Sequence, residues 1–318
     1  MRIIYMGTPE FAVEPLKLLI ENKYTIVGIV TMPDKPAGRG QLLQESAVKK
    51  FALEKGLPIL QPEKLKDLAF LEQLKQLNAD LQIVVAFRML PESVWNMPPL
   101  GTINLHASLL PNYRGAAPIN WAVINGETET GVSTFFLQHE IDTGKIIFQE
   151  KISIDENETA GEIHDKLMNL GAQLIVKTVA AIEKGNYPQI DQAQLISENK
   201  AIKHAPKIFK DDCRINWNQT TEKIHNHIRG LSPYPAAFTN IVSPEGKTTP
   251  IKIFKSNKEI VALHAPIGSI STDSKNYIKI ATLNGYLIIE ELQAAGKKKM
   301  FVSEFLRGFQ LKGNWKAI

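Results

Sequence analysis

One cysteine, Cys213, stands in a chain of 318 residues. A single thiol forms no internal disulfide and offers no second thiolate to a metal, in keeping with a reducing compartment. No apolar run approaches the roughly 18 to 20 residues of a membrane span. The start MRIIYMGTPEF enters a strand pattern without the basic region and cleavage site of a secretory leader, so a cytoplasmic protein is expected. Glycine-rich phosphate cradles are missing too. After the apolar run Arg2 to Met6 comes Gly7 followed by Thr-Pro-Glu, which is neither a dinucleotide fingerprint nor a P-loop. No Gly-x-Ser-x-Gly elbow is present, so a covalent acyl-enzyme has no support. Metal binding lacks a pattern as well. His139, His164, His204 and His264 are scattered, and the closest pair, His225 and His227, points apart on a helix and is expected at the surface or facing RNA.

Charge is plentiful but unevenly placed. Up to Lys200 there are 19 Lys and Arg against 24 Asp and Glu, a net of −5; from Ala201 onward there are 18 against 9, a net of +9. A basic second part either meets a polyanion, most simply nucleic acid, or presents a solubilising surface; charge alone does not choose.

Apolar strand runs alternate with helical patterns through the first part: Arg2 to Met6, Thr25 to Thr31 and Leu81 to Phe87 as strands, Ser46 to Lys55 and Lys64 to Leu77 as helices. Such alternation predicts a parallel sheet covered on both faces, an α/β fold. Gly101 to His106 is the next strand. Two longer extended runs follow, expected to be antiparallel to each other and to make the sheet mixed, and then a helix opened by a Thr159-to-Glu162 capping box. Residues 1–188 form the first domain and the polar stretch 189–206 a linker. Residues 207–318 hold short β-type runs broken by Gly, Pro and Asn, which predicts a small barrel.

Ligands of open α/β sheets bind beyond the carboxyl ends of the strands. The segment NLHASLLPNYRGAAPINWAVINGE begins at one of those ends. Asn104 and His106 are two apart on a strand and share a face. Asp142, in the turn Asp142-Thr143-Gly144, can close beside them. An amide, an imidazole and a carboxylate can stabilise an oxyanion, move a proton and orient the imidazole. The same three residues can also be a strand cap, a half-buried histidine and an Asx turn.

That segment, followed by IDTG, resembles the signature of the 10-formyltetrahydrofolate-using formyltransferases. PDKPAGRG (Pro33 to Gly40), APKIFKDDCRINW (Ala205 to Trp217) and IRGLSPYPAA (Ile228 to Ala237) resemble the branch whose acceptor is methionyl initiator tRNA. The resemblance spans nearly the whole chain. It implies a Rossmann-like N-terminal domain, a C-terminal oligonucleotide-binding-type β-barrel, 10-formyltetrahydrofolate as formyl donor, no metal, and a monomer. It places catalytic roles on Asn104, His106 and Asp142, and the folate contact run on Ser108, Leu109, Leu110 and Pro111. For tRNA it implies Lys35 and Arg39 in the PDKPAGRG loop, where a guanidinium can grip phosphate bidentately, and Lys207 and Lys210 beside the linker.

One position departs from the family. Arg88 stands where glycine is usual, which puts the folate pocket wall in question. Two rival functions are formyl transfer to another amine, such as glycinamide ribonucleotide, and an inactive RNA-binding protein. The first does not need the basic barrel, and the second gives no reason for all three polar residues of the site.

Overall fold

The computed structural model describes residues 1–37, 42–196, 201–262 and 264–318. They fall into two compact units. The first gathers Met1–Gly115, Thr130–Ile152 and His164–His204, and the second Ala116–Glu129, Ser153–Ile163 and Ala205–Ile318.

In chain order the strands up to the long helix are β1 (Arg2–Gly7), β2 (Thr25–Val30), β3 (Lys35–Ala37), β4 (Leu42–Gln44), β5 (Ile59–Leu60), β6 (Leu81–Val85), β7 (Thr102–His106), β8 (Arg114–Gly115), β9 (Glu129–Phe136) and β10 (Ile146–Ser153). Helices α1 (Val13–Glu21), α2 (Ala47–Glu54), α3 (Leu68–Gln76), α4 (Glu92–Trp95), α5 (Pro118–Ile124) and α6 (Ala160–Glu183) lie between and after them. Seven strands make one sheet in the order β10-β9-β7-β6-β1-β2-β5. The chain builds outward from β1 in both directions, and the order reverses between β1 and β6. Pairings of β1 with β2 and β6, of β2 with β5, and of β6 with β7 are parallel, while β7 pairs antiparallel with β9. The sheet is therefore mixed, as the two long extended runs suggested.

The strands are apolar on both faces because both faces are covered. Ile3, Ile4, Tyr5, Met6, Ile83, Val85 and Ile103 are all buried, as are Leu16 and Leu19 of α1. Tyr5 carries the one polar atom of its strand's core side chains, and its hydroxyl donates to Ala12 O at 2.6 Å. Helix starts follow local chemistry. Ser46 Oγ accepts from Lys49 N at 3.0 Å, and Asp67 Oδ1 accepts from Ala69 N at 2.8 Å. The second cap starts α3 at Leu68 rather than at Lys64, because a side chain able to satisfy the first helical N–H groups occurs only at Asp67. The expected box at Thr159 forms: Glu162 N donates to Thr159 Oγ1 and Thr159 N to Glu162 Oε2.

Two stretches expected to lack regular structure have some. Lys35–Ala37 and Leu42–Gln44 pair as an antiparallel hairpin with Pro36 opposite Leu43. A two-strand ribbon tolerates a residue without an N–H because one side of each strand is open. In the stretch 189–206, Ile190 and Ile146 exchange two 2.9 Å backbone hydrogen bonds, and a short 3-10 turn covers Gln192–Leu195.

The second unit contains most of the remaining elements: β11 (His204–Ala205, of which Ala205 belongs to it), α7 (Thr221–Gly230), β12 (Ala237–Val242), β13 (Thr248–Ile260), β14 (Ile270–Thr272), β15 (Ile278–Ala281), β16 (Gly285–Ala294), β17 (Met300–Phe301), α8 (Val302–Gly308) and β18 (Lys316–Ala317). The sheet runs β14-β15-β16-β13-β12-β18. Its two edges meet where Ile270 N donates to Trp315 O at 3.0 Å and Ala317 N to Gly268 O at 2.7 Å, giving a nearly closed antiparallel barrel. Alternate strand residues point inward, among them Ile251 and Ile253 of β13 and Leu287 and Ile289 of β16; Leu292, after a break in that alternation, and the lone Cys213 are part of the same core. The histidines of α7 correct an expectation. His225 is 2% exposed instead of lying at the surface, because α7 packs that face onto the barrel.

Candidate active site

His106 ends β7, between the parallel β6 and the antiparallel β9. Its backbone pairs with Ser133, and Asn104 two residues earlier pairs with Phe135. Two-residue periodicity puts both side chains on one face, with Asn104 half-buried and the His106 ring 6% exposed. His106 Nε2 lies 2.8 Å from Tyr113 O. A carbonyl only accepts, so Nε2 carries the hydrogen and Nδ1 is the nitrogen left for exchange. Nδ1 faces Asp142 Oδ2 at 3.8 Å in a buried place, too far for a hydrogen bond.

The Asp142 carboxylate is held in turn. Its Oδ2 accepts from Gly115 N at 2.9 Å. Asp142 has φ 54°, in the left-handed region that Asp tolerates better than most residues. Gly144, which ends the turn, sits against the main chain: a Cβ there would be 1.7 Å from Phe136 O. That close approach explains why glycine follows Asp142 and Thr143. The three residues that the sequence offered as a set are therefore brought to one place, within the first unit.

Residues 108 to 111 form a fixed shelf beside the site. Ser108 is fully buried, its hydroxyl donating to Asn112 O at 2.7 Å and its carbonyl accepting from Ser133 Oγ at 2.6 Å. Leu110 N donates to Ser133 Oγ at 3.1 Å, and Leu110 O accepts from Gln149 Nε2 at 2.9 Å. Leu110 and Pro111 are buried and Leu109 is half-buried. A ligand would meet the exposed part of Leu109 and the main chain here, since the hydroxyl of Ser108 is occupied.

Arg88 follows β6 at the same end of the sheet. Its guanidinium turns to the main chain, NH1 donating to Glu63 O at 2.8 Å and NH2 bonding Pro62 O. Burial lowers its pKa from the ordinary arginine value. Arg88 lines an open cavity of about 650 Å³ together with Leu65, Lys66, Met89, Leu90, Pro91, Glu92 and Ser93. A lining of apolar side chains with two cations and one carboxylate suits a flat heterocycle such as that of a folate. Among the described residues no group of His, Cys, Asp and Glu could hold a metal ion.

Lys35 is exposed on the β3–β4 hairpin. The hairpin is anchored through Asp34, whose carboxylate bonds Lys49 Nζ and accepts from Gln61 Nε2 at 2.9 Å. The Lys49 contact holds the Asp34 carboxyl below its usual range. Arg39 lies outside the described residues. In the second unit Lys207 and Lys210 are exposed, Lys207 Nζ standing 5.4 Å from the centre of the Phe209 ring.

Residues 1–179 match the family model described as "Formyl transferase", and residues 207–310 match "Formyl transferase, C-terminal domain". The chain belongs to the formyl transferase family. Among curated relatives, the methionyl-tRNA formyltransferase of Bacteroides thetaiotaomicron is 57% identical over 316 residues, covering 99% of this chain and 98% of its own. The methionyl-tRNA formyltransferase of Parabacteroides distasonis is 57% identical over 311 residues, covering 98% and 96%. Among solved structures, the sugar 3N-formyl transferase WlaRD, crystallised with dTDP and 5-N-formyl-THF, matches this formyl transferase with a TM-score of 0.65. At 23% identity over 94% of this chain and 99% of the other, that likeness speaks for the fold.

Sequence inspection missed two residues. Gln192 was counted as linker, yet it is 2% exposed and bonds both Arg114 and the Asp142 turn. Nothing in the string QAQL marks a buried amide. Arg114 reads from sequence as loop packing or as a residue near the tRNA 3′ end, and only the fold brings its partner from 78 residues away.

Proposed function

We propose that this chain transfers a formyl group from 10-formyltetrahydrofolate to the α-amine of methionyl initiator tRNA, as a monomer in the cytoplasm. Identity of 57% along essentially the full length of a methionyl-tRNA formyltransferase carries this reading. Residues 1–188 supply the chemistry and residues 207–318 the RNA-binding domain, with 189–206 between them.

The amine nitrogen attacks the formyl carbon, and the carbonyl oxygen takes the negative charge. Asn104 donates its amide N–H to that oxyanion, and His106, once it has taken the amine's proton at Nδ1, places a positive charge beside it. The bond from carbon to N10 then breaks, and the proton released by the amine passes to N10, leaving an N-formyl amide and tetrahydrofolate. His106 Nδ1, facing Asp142, is the site through which that proton moves, because Tyr113 O engages the other ring nitrogen. The donor lies along Leu109 and the main chain of Ser108 to Pro111, with the cavity beside Arg88 receiving its heterocycle. Lys35, Arg39, Lys207 and Lys210 meet tRNA phosphates.

Purified protein is given 10-formyltetrahydrofolate and charged initiator tRNA, and formyl-methionyl product is scored. Product is expected, and His106→Ala abolishes it while tRNA binding survives. Absence of product, alongside turnover of glycinamide ribonucleotide, would move the acceptor to that amine.

A further inference from the structure

We infer that Gln192, supported by Arg114, is a positioning residue that holds the Asp142-Thr143-Gly144 turn in its working geometry. The inference rests on the formyl-transfer reading of the site. Gln192 lies in a short 3-10 turn in the stretch after α6 and is 2% exposed. Its amide has every strong valence filled. Oε1 accepts from Arg114 Nε at 3.1 Å and from Arg114 NH2 at 2.6 Å. Nε2 donates to Asp142 O and to Gly144 O, both at 2.8 Å.

These bonds close a ring around the site. Arg114 immediately precedes Gly115, whose N–H holds the Asp142 carboxylate, and immediately follows Tyr113, whose carbonyl holds His106 Nε2. The same three-residue strip therefore touches the imidazole, the carboxylate and the amide. The Gln192 amide grips the turn on the main chain while Gly115 grips it by the side chain, so the position of Asp142 is fixed from both ends. The turn needs such a hold. Asp142 has φ 54°, a conformation that a non-glycine residue keeps only where its surroundings over-determine it. Gly144 is pressed against Phe136 O and cannot supply slack on the other side.

Only a primary amide satisfies all four contacts. A carboxylate at this position keeps the Arg114 fork but has no hydrogen for the two carbonyls and repels them. A methionine of similar length loses all four bonds. In either case the turn loses its hold, and the 3.8 Å separation between Asp142 Oδ2 and His106 Nδ1 is no longer maintained.

The test compares the unaltered protein, Gln192→Met, Gln192→Glu and His106→Ala in steady-state formylation of charged initiator tRNA. Melting temperature and donor affinity are followed alongside. For both Gln192 variants kcat is expected to fall by about 10- to 100-fold, since misplacing a reacting group by about 1 Å can cost that much. KM for either substrate stays within about threefold, and the kcat–pH profile moves along the pH axis because the spacing of imidazole and carboxylate has changed. A kcat within about twofold of the unaltered protein in folded Gln192→Met overturns the inference. So does a fall in kcat that only tracks the folded fraction with an unmoved pH profile. If Gln192→Met does not fold, Arg114→Lys is judged by the same criteria, because the amide stays while its two-point support is lost. No product from the unaltered protein defeats the formyl-transfer reading instead, which keeps the two failures apart.

Discussion

At the scale of single residues, the site depends on positions where a missing or added atom cannot be absorbed. Gly144→Ala would set a Cβ 1.7 Å from Phe136 O, so either the strand end or the turn must move. Movement of the turn takes Asp142 away from His106. Formyl transfer in that variant is expected to drop by about 100-fold with the fold retained, read from kcat and from circular dichroism. Unchanged kcat would mean that the turn tolerates the shift. Arg88 behaves differently, for its guanidinium bonds the backbone while lining the open cavity. Arg88→Gly, which installs the residue usual in the family, leaves Pro62 O and Glu63 O without their donors. Both carbonyls are partly accessible, so the expected loss is about 1 kcal/mol in urea denaturation, at the lower end for an unmade hydrogen bond. Donor affinity should then change by less than about threefold, because the guanidinium, though it lines the cavity, already spends NH1 and NH2 on Glu63 O and Pro62 O. A large gain in affinity would show instead that Arg88 had been narrowing the pocket.

At the scale of elements, α7 shows how burial sets a titration. His225 Nε2 lies 3.3 Å from Glu156 O and Nδ1 3.1 Å from Ser256 Oγ, a neutral-ring arrangement with one donor and one acceptor nitrogen. Desolvation lowers its pKa to about 4, helped by the nearby Lys258 and Arg229 and opposed by the Glu156 carbonyl and carboxylate. In the unfolded chain the ring titrates at about 6.5. The unfolded state thus binds the extra proton as pH falls through that window, and stability is lost between about pH 6.5 and the folded value, by up to roughly 3 kcal/mol. Urea midpoints from pH 7.5 to pH 4.5 should fall in the unaltered protein and flatten in His225→Gln; parallel slopes would count against the assignment. The sequence showed a helix at α7 but not which neighbours it would meet, so His225 looked like a surface residue. The same division runs through the molecule. Apolar runs, short β-type runs broken by turn residues, and caps such as Thr159 with Glu162 are local, and they marked the main strands of the first sheet, the barrel and α6. Asn104 and His106 share a strand and were legible from spacing. Asp142 was legible as a turn, but its distance from His106 is a property of the sheet. Gln192 and Arg114 meet across 78 residues, and no local pattern encodes that contact.

At the scale of the whole molecule, the asymmetry of charge makes a prediction that no single residue does. Residues from Ala201 onward carry a net +9, against −5 before them. Lysines already paired, such as Lys255 with Glu290, Lys279 with Glu259 and Lys299 with Glu291, are cancelled within that count, so the surplus belongs to other cations. A polyanion that meets them releases condensed counterions, and its affinity falls with salt at a slope proportional to the number of phosphates contacted. About four contacts would weaken tRNA binding by on the order of 100-fold between roughly 50 and 200 mM salt. A small folate has no condensed ion atmosphere, and its affinity should change only a few-fold over the same range. Binding isotherms for uncharged initiator tRNA and for the formyl donor, measured in parallel across the salt series, separate the two ligands. Lys207 and Lys210 are exposed beside the barrel, so replacing both with alanine should reduce the magnitude of the tRNA slope by about two, one for each phosphate contact removed. A slope that is flat in the unaltered protein would assign the basic excess to solubility. A steep slope untouched by the double substitution would place the phosphate contacts on other cations.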